Sequence, residues 1–291
     1  MSPLPSPSLR GKVALVTGAS RGIGRAIAQR FASEGATVVV SARSLDRSPD
    51  GEGTLQETVD LIRATGGQAI ALTADLEVPA ERDALVTRAV AAAGALDILV
   101  NNAGYAEYSR VESMPMAMYE RTLCHYLQVP FALSQAAIPH LRQRGAGWIL
   151  NLGSVTALAP VRPYTDFERH GGIAVYAAVK AAINRFTQTL AAELQADGIA
   201  VHSVAPSTAI RTPGGGRFIP DDYPTEPVEY LVETALALCQ QPASACTGLV
   251  THSLHFPLAQ QLTVRTLDGQ GTLPPPTIPA WAHPDIVGAG T

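Results

Sequence analysis

Val13-Ala-Leu-Val-Thr-Gly-Ala-Ser-Arg-Gly-Ile-Gly24, near the start of the chain, predicts the architecture of the whole protein. Its first five residues are an apolar run that indicates a strand buried on both faces. The glycines predict a tight turn, and Ile23, Ile27 and Phe31 then recur on one face of a helix that Gly35 ends. Strand, glycine turn and helix together point backbone N–H groups at a phosphate. The GxxxGxG spacing differs from the GxGxxG fingerprint, so a turn built only for close helix–strand packing remains the alternative.

A second strand, Thr37-Val-Val-Val-Ser41, comes after the helix and completes a β-α-β unit with an expected right-handed crossover. In dinucleotide-binding folds an acidic residue at the end of this strand binds the ribose 2′-hydroxyl. Here Ala42 and Arg43 occupy that place. Because a cation there favours a 2′-phosphate, the sequence predicts NADP in preference to NAD. The alternative is that Arg43 is a solvated loop residue.

Strands and helices continue to alternate along the rest of the chain, which predicts an α/β fold with a doubly wound parallel sheet. A capping box, Thr54-x-x-Glu57, begins one helix, and Pro130 and Pro139 should each kink or break a long one. Residues 206–224 are rich in Gly and Pro and long enough to be a mobile lid. Further strands are predicted at 68–73, 98–100, 148–152, 201–204 and 249–251, further helices at 79–93, 115–144, 176–195 and 227–239, and irregular segments at 160–172 and 206–224.

Polar side chains lie just past the ends of several predicted strands. Asp75, the Asn101-Asn102 pair and Ser154 lie at carboxyl ends, the edge where such sheets bind ligands. The asparagines either cap and connect strand ends or line a cleft. Tyr176 and Lys180 are four residues apart and therefore share a helix face, where the ammonium would lower the pKa of the phenol. A tyrosine in that state is suited to general acid–base catalysis.

Composition excludes several classes of function. The 291 residues are 46% hydrophobic and 16% charged, enough for a sizeable core, and the net charge of -4 offers no basic field for nucleic acid or anionic membrane. The start of the chain resembles neither a signal peptide nor a membrane anchor. The three scattered cysteines read as reduced thiols, which predicts a cytoplasmic protein. The histidines lack metal-ligand spacing, so no metal is expected.

The motifs together resemble the short-chain dehydrogenase/reductase family over residues 9–256. The matching segments are Thr17-Gly-Ala-Ser-Arg-Gly-Ile-Gly24, Asn101-Asn-Ala-Gly104, Ser154 and Tyr176-x-x-x-Lys180, with Asp75 and Pro206 at corresponding places. The resemblance implies a three-layer Rossmann fold with a seven-stranded parallel sheet, and a homodimer or homotetramer. It divides the chain into a loose or disordered N-terminus (1–8), one dinucleotide-binding and catalytic domain (9–256) and a Pro-rich extension (257–291). The extension either wraps the body, contacts a neighbour or is disordered.

The resemblance also implies roles for individual residues. Tyr176 would be the general acid or base, Ser154 would polarise the substrate oxygen, and Lys180 would bind the cofactor ribose and act on the tyrosine. Arg21 and Arg43 would hold the NADP 2′-phosphate. The implied cofactor-binding set is Gly18, Ser20, Arg21, Gly22, Ile23, Gly24, Arg43, Asp75, Leu76, Asn102, Ala103, Gly104, Tyr176, Lys180 and Pro206.

Three features depart from the family pattern. Tyr126 aligns with an asparagine that many members use for a water chain from the active-site lysine to solvent. The interval between Ser154 and Tyr176 is longer than usual, and Ser207 replaces a glycine after Pro206. We therefore expect an NADP-dependent oxidoreductase, with NAD as the alternative cofactor, that interconverts a carbonyl and a secondary alcohol on a small, largely apolar substrate. A non-catalytic dinucleotide-binding sensor or scaffold, and a family enzyme of dehydratase or epimerase chemistry, remain alternatives.

Overall fold

A computed structural model describes residues 8–46, 53–105, 107–214, 216 and 219–291. Of the N-terminus predicted to be loosely attached, residues 1–7 lie outside the described residues. Ser8 is described, and its hydroxyl donates a hydrogen bond to the Glu34 carbonyl.

The fold is a seven-stranded sheet in the order β3-β2-β1-β4-β5-β6-β7, with every adjacent pair parallel. The order reverses between β1 and β4, and this switch point opens a crevice at the carboxyl ends of the strands. The predicted doubly wound sheet is confirmed. The strands are β1 (Val13–Thr17), β2 (Thr37–Ala42), β3 (Gln68–Thr73), β4 (Ile98–Asn101), β5 (Gly147–Leu152), β6 (Ile199–Ala205) and β7 (Val250–His252).

Helices cover both faces of the sheet, which makes the three predicted layers. The helices are α1 (Gly22–Ser33), α2 (Leu55–Ala64), α3 (Pro79–Ala93), α4 (Met116–Leu123), α5 (Val129–Arg144), α6 (Asp166–His170), α7 (Ala174–Leu194), α8 (Val228–Leu238) and α9 (His255–Ala259). The alternation within β1 shows how the layers form: Ala14 and Val16 pack toward α1, α2 and α8, whereas Val13 and Leu15 pack toward α3, α5 and α7. All five residues of β1 are buried, as expected for a parallel strand covered on both sides.

The helical stretch predicted at 115–144 is interrupted at a different place from the one predicted. A π-helical turn, Cys124–Gln128, joins α4 to α5, so the irregularity falls just before Pro130. Pro130 lies in the first turn of α5, where a missing N–H is tolerated. A break at Pro139 is wrong, because α5 continues through it to Arg144, whereas a kink there stays a prediction.

Within the described part of the chain two helices begin with a capping box, and only one of these boxes was predicted. At α2, Thr54 Oγ1 accepts from the Glu57 N–H at 3.1 Å, and Glu57 Oε2 accepts from the Thr54 N–H, which confirms the expected cap. The same arrangement of Thr165 and Glu168 starts α6. The prediction of an irregular segment at 160–172 is therefore wrong over α6, whose start carries the same Thr-x-x-Glu signature.

Residues 257–291 lie against the body of the protein, as the first of the three alternatives expects. The Tyr230 hydroxyl donates to the Pro274 carbonyl, and His283 Nε2 lies 2.8 Å from the Ala159 carbonyl. At the far end, Thr291 and Val250 exchange both backbone hydrogen bonds along the outer side of β7. Because α9 crosses residue 256, the domain boundary there stays a prediction. Among the described residues, no helix combines the length and apolarity needed to cross a membrane.

Candidate active site

A cleft of about 700 Å³ opens at the carboxyl ends of the strands, where the sheet order reverses. Its volume lies in the range typical of sites for small molecules and cofactors. Of the residues predicted to bind the cofactor or to act in catalysis, all but Gly24 line this cleft: Gly18, Ser20, Arg21, Gly22, Ile23, Arg43, Asp75, Leu76, Asn102, Ala103, Gly104, Ser154, Tyr176, Lys180 and Pro206.

The glycine turn presents backbone donors to the cleft. Gly18 and Gly22 have φ of 65° and 58°, a region that L-residues with side chains rarely adopt. Arg21, the N-cap of α1, has an extended backbone and gives the helix no side-chain cap. The first N–H groups of α1 are therefore left for an external acceptor, and the positive end of the helix dipole favours an anion there.

Gly24 serves packing instead of lining the cleft. A Cβ on Gly24 would lie within 3.0 Å of Asn102 Nδ2 and 2.5 Å from the Gly18 carbonyl oxygen. The Asn102 side chain donates to the Thr17 carbonyl at 2.7 Å and to the Gly18 carbonyl at 3.2 Å, and thereby fastens the turn to β4.

The paired asparagines fulfil both roles left open by the sequence. Asn102 lines the cleft as well as holding the turn. Asn101 is buried, and its Nδ2 donates to Asn151 Oδ1 at 2.9 Å, which connects β4 to β5. Asn151 in turn donates to the Thr187 hydroxyl on α7. The helix that carries Tyr176 is thus tied to the sheet beneath it.

The two predicted arginines lie on the β1–β2 side of the cleft. Arg43 is exposed just beyond β2, and Arg21 lies beside Gly214 of the 206–224 segment. Asp75 lies just past β3 as predicted, and one of its carboxylate oxygens accepts from the Glu77 N–H at 3.0 Å. This lining fits the diphosphate and ribose groups of a dinucleotide, because the helix end is uncapped, two cations lie beside it, and the glycine turn has no room for side chains.

Ser154, Tyr176 and Lys180 meet at the end of β5. Ser154 caps the short helical turn after the strand, and its hydroxyl lies 2.8 Å from the Thr156 hydroxyl. The Tyr176 phenol interacts with the Ser154 hydroxyl and with Tyr108, whose ring it meets edge-on. Lys180 is buried, and its Nζ donates to the Leu152 carbonyl at 2.6 Å. These contacts place two hydroxyls and an ammonium at one corner of the cleft.

The acid–base properties of this group differ from the prediction. Burial raises the pKa of Tyr176, with a further increase from Tyr108 that outweighs the lowering effect of the Ser154 hydroxyl. Burial also lowers the pKa of Lys180 to about 7. The Lys180 Nζ lies 5.7 Å from the centroid of the Tyr176 ring. The expectation that Lys180 would lower the pKa of Tyr176 is therefore wrong for this arrangement, because desolvation of the phenol dominates.

The sequence profile of the short chain dehydrogenase family matches residues 12–217. The chain belongs to the short-chain dehydrogenase family. It is accordingly an oxidoreductase of a family that includes NAD(P)-dependent dehydrogenases. The match covers the glycine turn, the asparagine pair and the Ser154, Tyr176 and Lys180 group, and ends within the 206–224 segment.

Relatives with assigned names include a 3beta-hydroxysteroid dehydrogenase of Eggerthella lenta, which is 38% identical over 206 residues, 70% of this chain and 73% of that protein. A hydroxynaphthalene reductase-like protein of Metarhizium robertsii is 34% identical over 235 residues, 80% of this chain and 82% of that protein.

Similar solved structures support the same family assignment. A 3-oxoacyl (acyl-carrier-protein) reductase from Agrobacterium tumefaciens, with NADP bound, superposes with a TM-score of 0.71 at 28% identity over 84% of this chain and 93% of that one. A short-chain dehydrogenase/reductase variant from Serratia marcescens gives a TM-score of 0.71 at 31% identity over 84% and 98%.

Tyr126, which replaces the asparagine of many family members, lies in the π-helical turn and is buried. Its ring centroid is 4.3 Å from Lys180 Nζ, and its ring meets that of Tyr176 edge-on at 5.3 Å. The Tyr126 hydroxyl donates to the Tyr105 carbonyl at 2.9 Å. The residue thus faces Lys180 with the apolar surface of its ring.

Ser207, the replacement for the usual glycine, belongs to a buried polar cluster beneath the cleft. Its N–H donates to Glu226 Oε1 and its hydroxyl lies 2.9 Å from His255 Nδ1. Glu226 also accepts from the Ser253 hydroxyl, and from the Thr208 hydroxyl at 3.1 Å. Burial raises the pKa of Glu226 to about 7. This cluster joins both ends of the 206–224 segment to β7.

Sequence reasoning missed several residues around the cleft. Glu77 Oε1 accepts from the Arg121 guanidinium at 2.7 Å and lies 2.9 Å from His125 Nε2, while the guanidinium stacks 3.6 Å above the Tyr105 ring. Arg121 and His125 are four residues apart in the helical run, so the sequence could have indicated that they share a helix face. Among the residues described, no group of three His, Cys, Asp or Glu side chains could hold a metal ion.

Proposed function

We propose that this protein is an NADP(H)-dependent oxidoreductase that interconverts a carbonyl and a secondary alcohol on a small, largely apolar substrate. The observation that carries the proposal is the meeting of the Ser154 and Tyr176 hydroxyls, within the same cleft as the uncapped N-terminus of α1. When bound, the cofactor supplies or accepts the hydride at the substrate carbon. The protein must supply the orientation and the proton.

Each residue of the group has a part in this reaction. Ser154 donates a hydrogen bond to the substrate oxygen and holds it beside Tyr176. Tyr176 gives its proton to that oxygen during reduction and takes it back during oxidation. Lys180 is held by the Leu152 carbonyl and directs its remaining N–H groups toward the ribose of the cofactor. The uncharged substrate oxygen becomes strongly basic only as the carbon is reduced, so a phenol of raised pKa still transfers its proton.

The preference for NADP rests on the two arginines. Arg21 and Arg43 line the β1–β2 side of the cleft, where a ribose 2′-phosphate would carry two negative charges. The related reductase from Agrobacterium tumefaciens holds NADP. We assign the remaining cofactor contacts to the predicted residues that line the cleft, with Gly24 acting through packing.

The proposal of an apolar substrate has two supports. The relatives named for steroid and hydroxynaphthalene chemistry act, by their names, on compact ring systems. Aromatic rings also surround Tyr176, since both Tyr108 and Tyr126 contact it edge-on. We further propose that the enzyme is cytoplasmic, forms a homodimer or homotetramer, and has a single catalytic domain at residues 9–256.

The test begins with titrations of the purified protein with NADPH and NADH, monitored by the fluorescence of the reduced nicotinamide. We expect NADPH to bind at least about tenfold more tightly, equivalent to about 1.4 kcal/mol. Arg43→Ala should remove most of this difference, whereas Arg162→Ala, a change at an exposed arginine outside the cleft, should preserve it. Equal affinities for the two cofactors in the wild-type protein would refute the NADP assignment.

Turnover then separates catalysis from simple binding. The protein is assayed with NADPH against cyclohexanone and 2-tetralone, two uncharged ketones of different size. Tyr176→Phe should bind NADPH normally and lose at least about a hundredfold in turnover, the scale of a lost general acid. Comparable turnover by Tyr176→Phe would contradict its role. Cofactor binding without turnover of any ketone by the wild type would support the dinucleotide-binding sensor or scaffold.

A further inference from the structure

Tyr108 contacts the reacting phenol but has no part in the reaction proposed for Ser154, Tyr176 and Lys180. Its ring meets that of Tyr176 edge-on with 5.2 Å between centroids, and the phenol of Tyr176 interacts with that of Tyr108. Tyr108 is only partly buried, whereas Lys180 and Tyr126 are buried. Of the two hydroxyl groups that interact with Tyr176, that of Ser154 is the one expected to bind the substrate oxygen. The hydroxyl of Tyr108 is therefore the partner left to exchange a proton between Tyr176 and solvent.

The backbone around Tyr108 is held in place by a close contact with the start of α7. The Ser109 N–H donates to the Gly172 carbonyl at 3.2 Å. Gly172 has φ of 65°, and a Cβ there would lie 2.7 Å from the Ser109 carbonyl carbon. Only a glycine allows this approach, so the segment that carries Tyr108 is fixed against the helix that carries Tyr176.

The other route for a proton, through Lys180, is closed on the side of Tyr126. One N–H of Lys180 is committed to the Leu152 carbonyl, and the ring of Tyr126 covers the ammonium at 4.3 Å. The Tyr126 hydroxyl is committed to the Tyr105 carbonyl. An aromatic ring has no proton to exchange, so Tyr126 cannot pass one between Lys180 and solvent through this face.

We propose that Tyr108 is a second catalytic phenol, which returns a proton to Tyr176 after each reduction and takes one from it after each oxidation. In the reducing direction the Tyr176 O–H bond breaks as the O–H bond of the product alcohol forms. The Tyr108 O–H bond then breaks as that of Tyr176 forms again. A solvent water or hydronium ion restores the proton of Tyr108, so each turnover consumes one proton from solvent. This proposal rests on the proposed role of Tyr176.

The decisive variant is Tyr108→Phe, which keeps the ring and its edge-on contact but removes the hydroxyl. Tyr119→Phe is the matched control, because Tyr119 is 39% exposed on α4 and lies outside the cleft. With NADPH and 2-tetralone, Tyr108→Phe should lower kcat by at least about tenfold and leave the KM for NADPH unchanged. Addition of imidazole as a small, diffusible acid should restore part of the lost kcat. A purely structural role for Tyr108 would not respond to imidazole.

A second measurement needs no turnover. In unligated protein labelled with ¹³Cζ-tyrosine, the Tyr176 resonance is assigned by its loss in Tyr176→Phe. This resonance should shift in Tyr108→Phe and stay in place in Tyr119→Phe. An unshifted resonance, or an unchanged kcat in Tyr108→Phe, would overturn the proposal for Tyr108 alone. Full activity of Tyr176→Phe would instead overturn the general-acid assignment, and the relay with it.

Discussion

The contact between Gly24 and Asn102 allows a quantitative test of how the glycine turn is held. In Gly24→Ala the new methyl group would lie within 3.0 Å of Asn102 Nδ2 and 2.5 Å from the Gly18 carbonyl oxygen. Asn102 must therefore move, and its hydrogen bonds to the Thr17 and Gly18 carbonyls, at 2.7 and 3.2 Å, are lost or lengthened.

The expected cost is the sum of two effects. Two hydrogen bonds contribute about 0.5–1.5 kcal/mol each. Overpacking against the Gly18 backbone, which cannot rotate away as a side chain can, adds about 1–3 kcal/mol. We therefore expect Gly24→Ala to lower the free energy of unfolding by about 2–6 kcal/mol. Cofactor affinity should fall as well, because Gly18 lies in the turn that faces the cleft.

Urea unfolding, monitored by circular dichroism, measures the effect. Gly214→Ala is the control, because its new Cβ would make only an ordinary contact with Arg21, at 3.5 Å. A double-mutant cycle with Asn102→Ala isolates the share due to Asn102, since the clash with Nδ2 disappears when that side chain is truncated. A Gly24→Ala variant within about 0.5 kcal/mol of wild type would refute the packing role assigned to Gly24.

Three further predictions concern the surroundings of the cleft. The pKa of Glu226 is raised to about 7 from an ordinary value of 4.5, so the folded state gains stability below pH 4.5 that is lost as pH rises through 7. Between pH 5 and 8 the wild type should therefore lose more of its free energy of unfolding than Glu226→Gln does, by a difference on the order of 3 kcal/mol. Calorimetry at the two pH values measures this difference, and equal losses in the two proteins would contradict the prediction. Tyr126→Phe leaves the Tyr105 carbonyl unpaired and should therefore lower the free energy of urea unfolding by about 1 kcal/mol. Its kcat should stay within about twofold of wild type, and a large loss of kcat would show that the hydroxyl serves Lys180. Trp281→Ala removes an edge-on contact with Tyr223, whose ring centroid lies 5.4 Å away, and such a contact is worth about 0.5–1.5 kcal/mol. The variant should therefore show faster amide hydrogen exchange at 219–224, and unchanged exchange would argue against that contact.

Sequence reasoning succeeded where the signal is local. The apolar run of β1 and the glycines after it specify a buried strand and a tight turn within a dozen residues, and both lie where they were predicted. Parallel strands end at one edge of the sheet, so Asp75, Asn102 and Ser154 were predictable neighbours once the alternation of elements was clear.

The contacts that were missed depend on elements far apart in the chain. Tyr108 meets Tyr176 only because Gly172 lets two backbones approach closely, which no spacing rule reveals. The pKa of Tyr176 was misjudged because the i, i+4 spacing indicates proximity to Lys180 but not burial. The path of residues 257–291 was open for the same reason, since its hydrogen bonds, such as those of Tyr230 with Pro274 and of His283 with Ala159, join residues far apart in the chain.

The pairing of Thr291 with Val250 has a consequence for how copies of this protein can associate. An edge strand with unpaired backbone groups is a template onto which a strand of another molecule can add. At one margin of the sheet, Thr291 already occupies the outward N–H and carbonyl of Val250. At the opposite margin, Arg63 and Arg88 donate to the Ala69 and Thr73 carbonyls of β3 and bring positive charge to that border. We therefore expect both borders of the sheet to resist the addition of a strand from another molecule.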